Sequence, residues 1–174
     1  MPALPTAHFS IREFACPCCG KWDAVDTHLV DGLEDMRHLL DDKPVLVTSG
    51  YRCSDHNKRI GGASQSKHVT GQAADIVVTG CDLLDVYAAA LNIESFRRGG
   101  IGLYPPGPGN GSTGFLHVDT RTHQARWARI DGVYQSLDAA VGLLTMQREL
   151  REMEEEHGRA DDERADEGGR AQEP

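Results

Sequence analysis

The segment SKHVTGQAADI, residues 66–76, places a histidine and a carboxylate where they could bind a metal ion. His68 lies in a polar stretch and Asp75 at the start of an apolar strand candidate, with a turn predicted at Gly71 between them. A carboxylate entering a buried strand costs several kcal/mol unless it is paired or binds a cation. Both residue types are ligands for zinc. The alternative is a surface histidine at 68 and an ordinary ion pair at Asp75.

A third candidate comes from the segment FLHVDT, residues 115–120. Side chains alternate along a strand, so Phe115, His117 and Asp119 must share one face. A histidine and an aspartate on the same face, beside a Pro/Gly-rich loop, predict the floor of a cleft.

The elements around these segments predict an α+β domain. Helices are expected over residues 29–40, 54–60 and 82–92, with Asp26 or Thr27 capping the first. Strands are expected at PVLV, ADIVV, GIGLY, FLHVDT and ARWARI. The last three lie too close together for helical crossovers, so neighbouring strands should be antiparallel. The expected architecture is a small antiparallel sheet with packed helices.

Four segments carry a resemblance to a known family, in the order FSIREFACPCCG, VTSGYRCSDHN, SKHVTGQAADI and GGIGLYPPGPGNGSTGFLHVDTRTHQARW. Together they resemble the zinc D-alanyl-D-alanine carboxypeptidases. Relatives of these enzymes are the vancomycin-resistance D-Ala-D-Ala dipeptidases, phage endolysin peptidases and murein endopeptidases. The resemblance implies a hedgehog/D-Ala-D-Ala-peptidase-like fold. It also implies a zinc metallopeptidase that hydrolyses a peptide bond in the peptidoglycan stem or cross-link.

The resemblance also implies roles for individual residues. It implies one catalytic zinc ion with three protein ligands, namely His68, Asp75 and His117. Three ligands leave a tetrahedral zinc one open position, which is typical of catalytic sites. Arg52 is implied near the substrate carbonyl or carboxylate, and Ser66 and Tyr51 are further candidates for substrate binding. The alternative for Arg52 is an ordinary surface ion pair.

The general base is where this sequence departs from part of the family. The dipeptidase branch has a glutamate three residues before the last ligand, but Gly114 stands here. Many members have a histidine where this chain has Phe115. Asp119 is therefore the candidate base, two residues from His117 on the same strand face. The alternatives are that Asp119 only orients the ligand histidine, or that His123 serves as a weaker candidate base.

Five cysteines leave at least one thiol that cannot pair within the chain. They are Cys16, Cys18, Cys19, Cys53 and Cys81. The sequence is compatible with a structural zinc site in CPCCG that also uses Cys53, with a disulfide from this cluster to Cys53, and with simple packing.

Composition and charge predict how the chain is divided into segments and which classes of function are excluded. The 174 residues carry a net charge of −9, which is unfavourable for nucleic-acid binding. Two thirds of that charge lies in residues 146–174, with 11 acidic and 5 basic side chains. We expect a zinc peptidase domain over 1–135, a C-terminal helix over 136–158 and a disordered acidic tail over 159–174. The sequence predicts neither a membrane span nor a signal peptide.

Two other classes of function compete with the peptidase. The missing glutamate suggests a non-catalytic zinc-containing module that binds the cell wall, and the C-terminal segment suggests a phage structural component. Peptidoglycan peptide is the expected partner of a monomer, although the C-terminal helix could mediate self-association. The expected route is synthesis in the cytoplasm followed by phage-type release to the wall.

Overall fold

The computed structural model describes residues 6–22 and 24–170. A short 3-10 helix, Ile11–Phe14, comes first. Within the described residues there are five α-helices: α1 Thr27–Leu39, α2 Ser54–Arg59, α3 Leu83–Asn92, α4 Glu94–Arg98 and α5 Leu137–Arg170. The strands of that part of the chain are β1 Val45–Ser49, β2 Ala73–Val78, β3 Gly100–Tyr104, β4 Phe115–Asp119, β5 Ala125–Ile130 and β6 Val133–Gln135.

The strands form one six-stranded sheet in the order β1-β2-β4-β3-β5-β6. The predicted α+β class is confirmed, and most neighbouring strands are antiparallel. The pair β3 and β5 is parallel, which the sequence did not predict. β4 already lies between β2 and β3, so β5 pairs with the free edge of β3. β5 runs opposite to β4 and therefore in the same direction as β3.

One face of the sheet packs against the helices and forms the core. On α1, the predicted capping role of Asp26 is confirmed, because its carboxylate accepts a hydrogen bond from the His28 backbone N–H at 3.0 Å. Leu33 on this helix is fully buried, as is Phe96 on α4. From the sheet, alternate residues point into the same core, and they include Ala74, Ile76, Ile101, Leu103, Leu116 and Val118. Apolar burial therefore fixes which strand residues point the other way.

The opposite face of the sheet carries the polar residues. β2 and β4 pair so that Asp75 lies directly opposite His117. On the next strand, Gly102 lies beside His117, and a Cβ atom there would lie 2.4 Å from the Trp127 ring. The missing side chain on β3 therefore lets the indole of β5 approach the histidine.

The C-terminal helix α5 is longer than the sequence predicted. It begins at Leu137 and continues to Arg170, past the expected end at residue 158. Ala140 and Leu144 join the core, while Arg148 pairs with Asp82 at 2.9 Å. The division at residues 135 and 158 and self-association through this helix stay predictions. So does the disorder of residues 159–174, of which 171–174 lie outside the described residues. None of the described helices has a stretch long and apolar enough to span a membrane.

Candidate metal centre and cleft

Three side chains from separate elements converge on the polar face of the sheet. The Nδ1 atom of His117 lies 2.8 Å from Asp75 Oδ1, and the Nε2 atom of His68 lies 3.3 Å from the same oxygen. The two histidine nitrogens are 3.2 Å apart. Each of the three residues is buried, with 2–7% of its surface exposed. The structure thus brings the three predicted ligands together.

The outer ring nitrogens of the histidines have their own partners. His68 Nδ1 donates to the carbonyl oxygen of Gly50 at 2.7 Å, which leaves Nε2 directed at the cluster. His117 Nε2 lies 3.2 Å from Asp119 Oδ2, which leaves Nδ1 directed at the cluster. Ligand histidines in metal sites commonly donate their other ring N–H to a carbonyl or carboxylate in this way. Both rings are therefore oriented for binding a cation.

The donor set fits a zinc ion. Tetrahedral zinc with bonds of about 2.0–2.2 Å needs donor atoms roughly 3.3 Å apart. The three separations in the cluster are 2.8, 3.2 and 3.3 Å. Two imidazoles and one carboxylate are also a usual ligand set for catalytic zinc.

Burial and charge act in opposite directions on the pKa values of the cluster. Burial lowers the pKa of His68, which favours the neutral imidazole that a metal ion requires. Burial opposes ionisation of Asp75, but the electrostatic interaction with His68 and the hydrogen bonds with His117 and His68 outweigh burial and lower the pKa of Asp75. For His117 burial is likewise outweighed, by the Asp119 and Asp75 carboxylates, and the pKa is raised. The pocket therefore stabilises a positive charge between two carboxylates.

Arg52 lies against the cluster. Its guanidinium hydrogen-bonds to Asp75 Oδ2, and its Nε donates to Ser49 Oγ at 2.7 Å. The Arg52 backbone N–H donates to the His68 carbonyl at 3.0 Å. These contacts hold the guanidinium at the edge of the cleft. The ion pair is not an ordinary surface pair, because its two side chains are only 14% and 11% exposed.

Asp119 lies behind His117 rather than in the cleft. It is fully buried and is not among the residues that line the cavity. Its oxygens accept hydrogen bonds from Arg121 at 2.5–3.1 Å and from the Gly100 backbone N–H at 3.0 Å, in addition to the contact with His117. A base needs access to the water that it deprotonates. The geometry opposes the catalytic role predicted for Asp119 and favours the orienting role that was its alternative.

Asp119→Asn provides a test of this orienting role. The amide keeps the size of the side chain but loses the charge that holds the proton on His117 Nε2. We expect affinity for zinc to fall about 10- to 100-fold, with most activity restored by excess zinc. Competition with a chromophoric chelator measures the affinity. Unchanged zinc affinity with activity lost at saturating zinc would instead identify Asp119 as the base.

The side chains of His68, Asp75 and His117 form the floor of a cleft of about 460 Å³. This size lies in the range of sites that bind small ligands and peptides. Ser66, for which a role in substrate binding is predicted, lines this cleft, whereas Tyr51 is not part of the lining. Tyr51 instead donates its backbone N–H to the Phe14 carbonyl at 2.8 Å. His123 is exposed and also lies outside the lining.

An aromatic and cationic wall of the cleft was not predicted from the sequence. This wall comes from β3, β5 and β6 and consists of Tyr104, Trp127, Arg129 and Tyr134. The Trp127 ring lies 5.0 Å from the His117 ring, and its Nε1 donates to Tyr104 Oη at 3.0 Å. Strand alternation in ARWARI could have indicated that Trp127 and Arg129 share one face. The structure agrees, because Ala128 between them is buried.

The backbone at Gly114 would not accommodate the glutamate of the dipeptidase branch. Its φ is +64°, and an added Cβ would lie 2.3 Å from the Tyr104 carbonyl oxygen. A glutamate would be strained at this position because of both the left-handed backbone and the clash. Among the described residues, Asp75 is the one carboxylate that lines the cleft.

Comparison with known proteins agrees with this geometry. A 106-residue stretch is 38% identical to the peptidoglycan L,D-endopeptidase MepK of Escherichia coli strain K12, covering 58% of this chain and 53% of that protein. A 44-residue stretch is 48% identical to the zinc D-Ala-D-Ala carboxypeptidase of Streptomyces albus G, covering 25% of this chain and 17% of that protein. The chain thus spans about half the length of the MepK relative that it matches.

The family model described as Peptidase M15 matches residues 7–119. The match covers more than half of the chain and includes the three clustered side chains of the metal centre, namely His68, Asp75 and His117. The resemblance found in the sequence is therefore confirmed, and the chain belongs to the peptidase M15 family.

Proposed function

We propose that this chain is a zinc metallopeptidase that hydrolyses a peptide bond in peptidoglycan. The observation that carries the proposal is the convergence of two imidazoles and one carboxylate on the floor of an open cleft, with the Arg52 guanidinium beside them. A structural zinc site would be enclosed by four protein ligands, whereas this cluster offers three and faces a cavity.

His68, Asp75 and His117 would hold the zinc ion. When bound, the ion supplies a Lewis acid and lowers the pKa of a coordinated water. The Gly50 carbonyl and the Asp119 carboxylate each hold a proton on the outer nitrogen of one histidine, so the inner nitrogens remain available as ligands.

The remaining cleft residues would bind and orient the peptide. Arg52 offers a fixed cation to the carbonyl oxygen as it gains charge, or to a substrate carboxylate. Arg121 lies with its Cζ 5.3 Å from the Trp127 ring centroid, which keeps a second cation at the rim. Trp127 presents an apolar surface next to His117, with the two ring centroids 5.0 Å apart.

The names of the relatives support peptidoglycan as the substrate class and are compatible with two different positions of cleavage. One relative is named as an L,D-endopeptidase and the other as a D-Ala-D-Ala carboxypeptidase. The first similarity extends over more of this chain, which favours cleavage within the stem or cross-link over release of a terminal residue. Carboxypeptidase activity and a phage-type route to the wall remain predictions.

Purified chain loaded with zinc should be incubated with cross-linked muropeptide dimers and, separately, with pentapeptide monomers ending in D-Ala-D-Ala. We expect products that carry one added water, detected by mass spectrometry, and we expect a chelator to prevent their formation. New amino termini from the dimers indicate an endopeptidase, and free D-alanine indicates a carboxypeptidase. Zinc-loaded chain that binds these substrates but cleaves none would contradict the proposal and favour the wall-binding module.

A further inference from the structure

A second group of metal-binding side chains lies outside the cleft. It consists of four cysteines, Cys16, Cys18, Cys19 and Cys53, and their sulfur atoms all lie within 4.8 Å of one another. The Sγ atoms of Cys16 and Cys18 are 3.6 Å apart, and those of Cys18 and Cys53 are 3.3 Å apart. Four thiolates bound to zinc at about 2.3 Å place their sulfurs roughly 3.8 Å apart. The spacing is therefore close to that of a four-sulfur zinc site.

The backbone of CPCCG is shaped to present several sulfurs to one point. The Gly20 N–H donates to the Cys16 carbonyl at 2.8 Å, and the Cys16 N–H donates to the Lys21 carbonyl at 2.9 Å. Gly20 has a φ of +68°, the left-handed conformation that closes this tight turn at little cost to glycine. Cys16 and Cys19 then have the two-residue spacing typical of a zinc ligand pair.

Cys53 approaches this turn from the other side, at the start of α2. The Cys53 sulfur accepts a hydrogen bond from the His56 backbone N–H at 3.4 Å, and the Cys53 backbone N–H donates to Cys16 Sγ at 3.4 Å. Backbone donors directed at sulfur stabilise the ionised thiolate, which is the form that binds metal.

Neither packing nor a disulfide accounts for all four cysteines. Packing does not explain Cys18 and Cys19, because both are exposed whereas unpaired cysteines usually pack in the interior. One disulfide to Cys53 would use two of the sulfurs and leave the convergence of the other two unexplained. A single ion uses all four, and Cys81 remains outside the group.

We propose that Cys16, Cys18, Cys19 and Cys53 bind one structural zinc ion, separate from the ion in the cleft. Binding releases the thiol protons to solvent and involves no change in oxidation state. The ion would join the N-terminal segment to residues 50–53, where the Gly50 carbonyl orients His68. The Tyr51 N–H already donates to the Phe14 carbonyl across the same junction at 2.8 Å.

The test uses Co²⁺ as a spectroscopic probe of the full chain, purified under reducing conditions and stripped of metal. We expect two ions per chain and an intense near-ultraviolet band from thiolate-to-cobalt charge transfer. His117→Ala should retain this band and bind one ion fewer. Cys18→Ser and Cys53→Ser should each lose most of the band, whereas the matched control Cys81→Ser should keep it.

The wild-type spectrum is decisive even where a cysteine variant fails to fold. Binding of one ion per chain without a thiolate band would overturn the proposal. A second result would also overturn the proposal. In that case the chain purified without reductant would have a mass lower by the hydrogens lost in disulfides, and its reduced form would bind no second ion. The readout does not depend on peptidase activity, so failure here leaves the proposed function untouched.

Discussion

His117→Ala is expected to lose the zinc ion of the cleft and, with it, peptidase activity by about 10³-fold or more. The change leaves two of the three ligands, His68 and Asp75. It also removes the imidazole that lies between Asp75 and Asp119, so both carboxylates lose a hydrogen-bonding partner. Two ligands provide too few bonds to retain zinc against a chelator, and the chemistry that the ion supplies is lost.

Elemental analysis after dialysis, together with the muropeptide assay, measures both effects. We expect one zinc equivalent less than in the wild-type chain. The matched control is His28→Ala, which removes an exposed histidine on α1 that does not line the cleft and should leave zinc content and turnover unchanged. Full activity of His117→Ala with zinc retained would show that the reaction uses another site.

Arg52→Ala is expected to lower kcat/KM about 10²- to 10³-fold at saturating zinc. The guanidinium is held by Ser49 and Asp75 at the edge of the cleft, and its removal takes away a fixed cation that contacts Asp75. Arg52→Lys should recover only part of the loss, because an ammonium group cannot reproduce the planar set of donors. The loss should fall mainly on kcat if the arginine stabilises developing charge, and mainly on KM if it binds a substrate carboxylate.

Zinc titration separates this role from a purely structural one. Asp75 loses a partner in Arg52→Ala, so metal affinity must be measured and the assay run with zinc in excess. Arg98→Ala is the matched control, since this exposed arginine on α4 pairs with Glu94 and does not line the cleft. If excess zinc restored full activity to Arg52→Ala, the arginine would act only through Asp75.

The three ligands could be predicted because the resemblance to the zinc peptidases implied them and because histidine and aspartate are residue types that bind zinc. Alternation places His117 and Asp119 on one face, but it does not show how deeply each side chain is buried. Burial distinguishes the two residues, since Asp119 is covered by Arg121 while His117 faces the cavity. A contact between a side chain and a neighbour two residues away depends on rotamers that a one-dimensional pattern does not contain.

The strand order could not be derived for a related reason. The five longer strands were each predicted, but their pairing depends on which edges remain free after β4 inserts between β2 and β3. That insertion places β5 beside β3 and brings Trp127 over Gly102, which forms the unpredicted wall of the cleft. Local signals also missed α4 and β6, because five and three residues are too few to show a period.

The pairing of Asp75 with His117 ties the proposed metal site to the register of two strands. The two residues are 42 positions apart in the chain and meet only when β2 and β4 associate in the observed register. A slip of one residue would turn the His117 side chain to the core face and separate it from Asp75. A cation held by these residues would therefore favour the observed strand alignment over a shifted one, and a growing chain that ends before residue 117 would offer only part of the site.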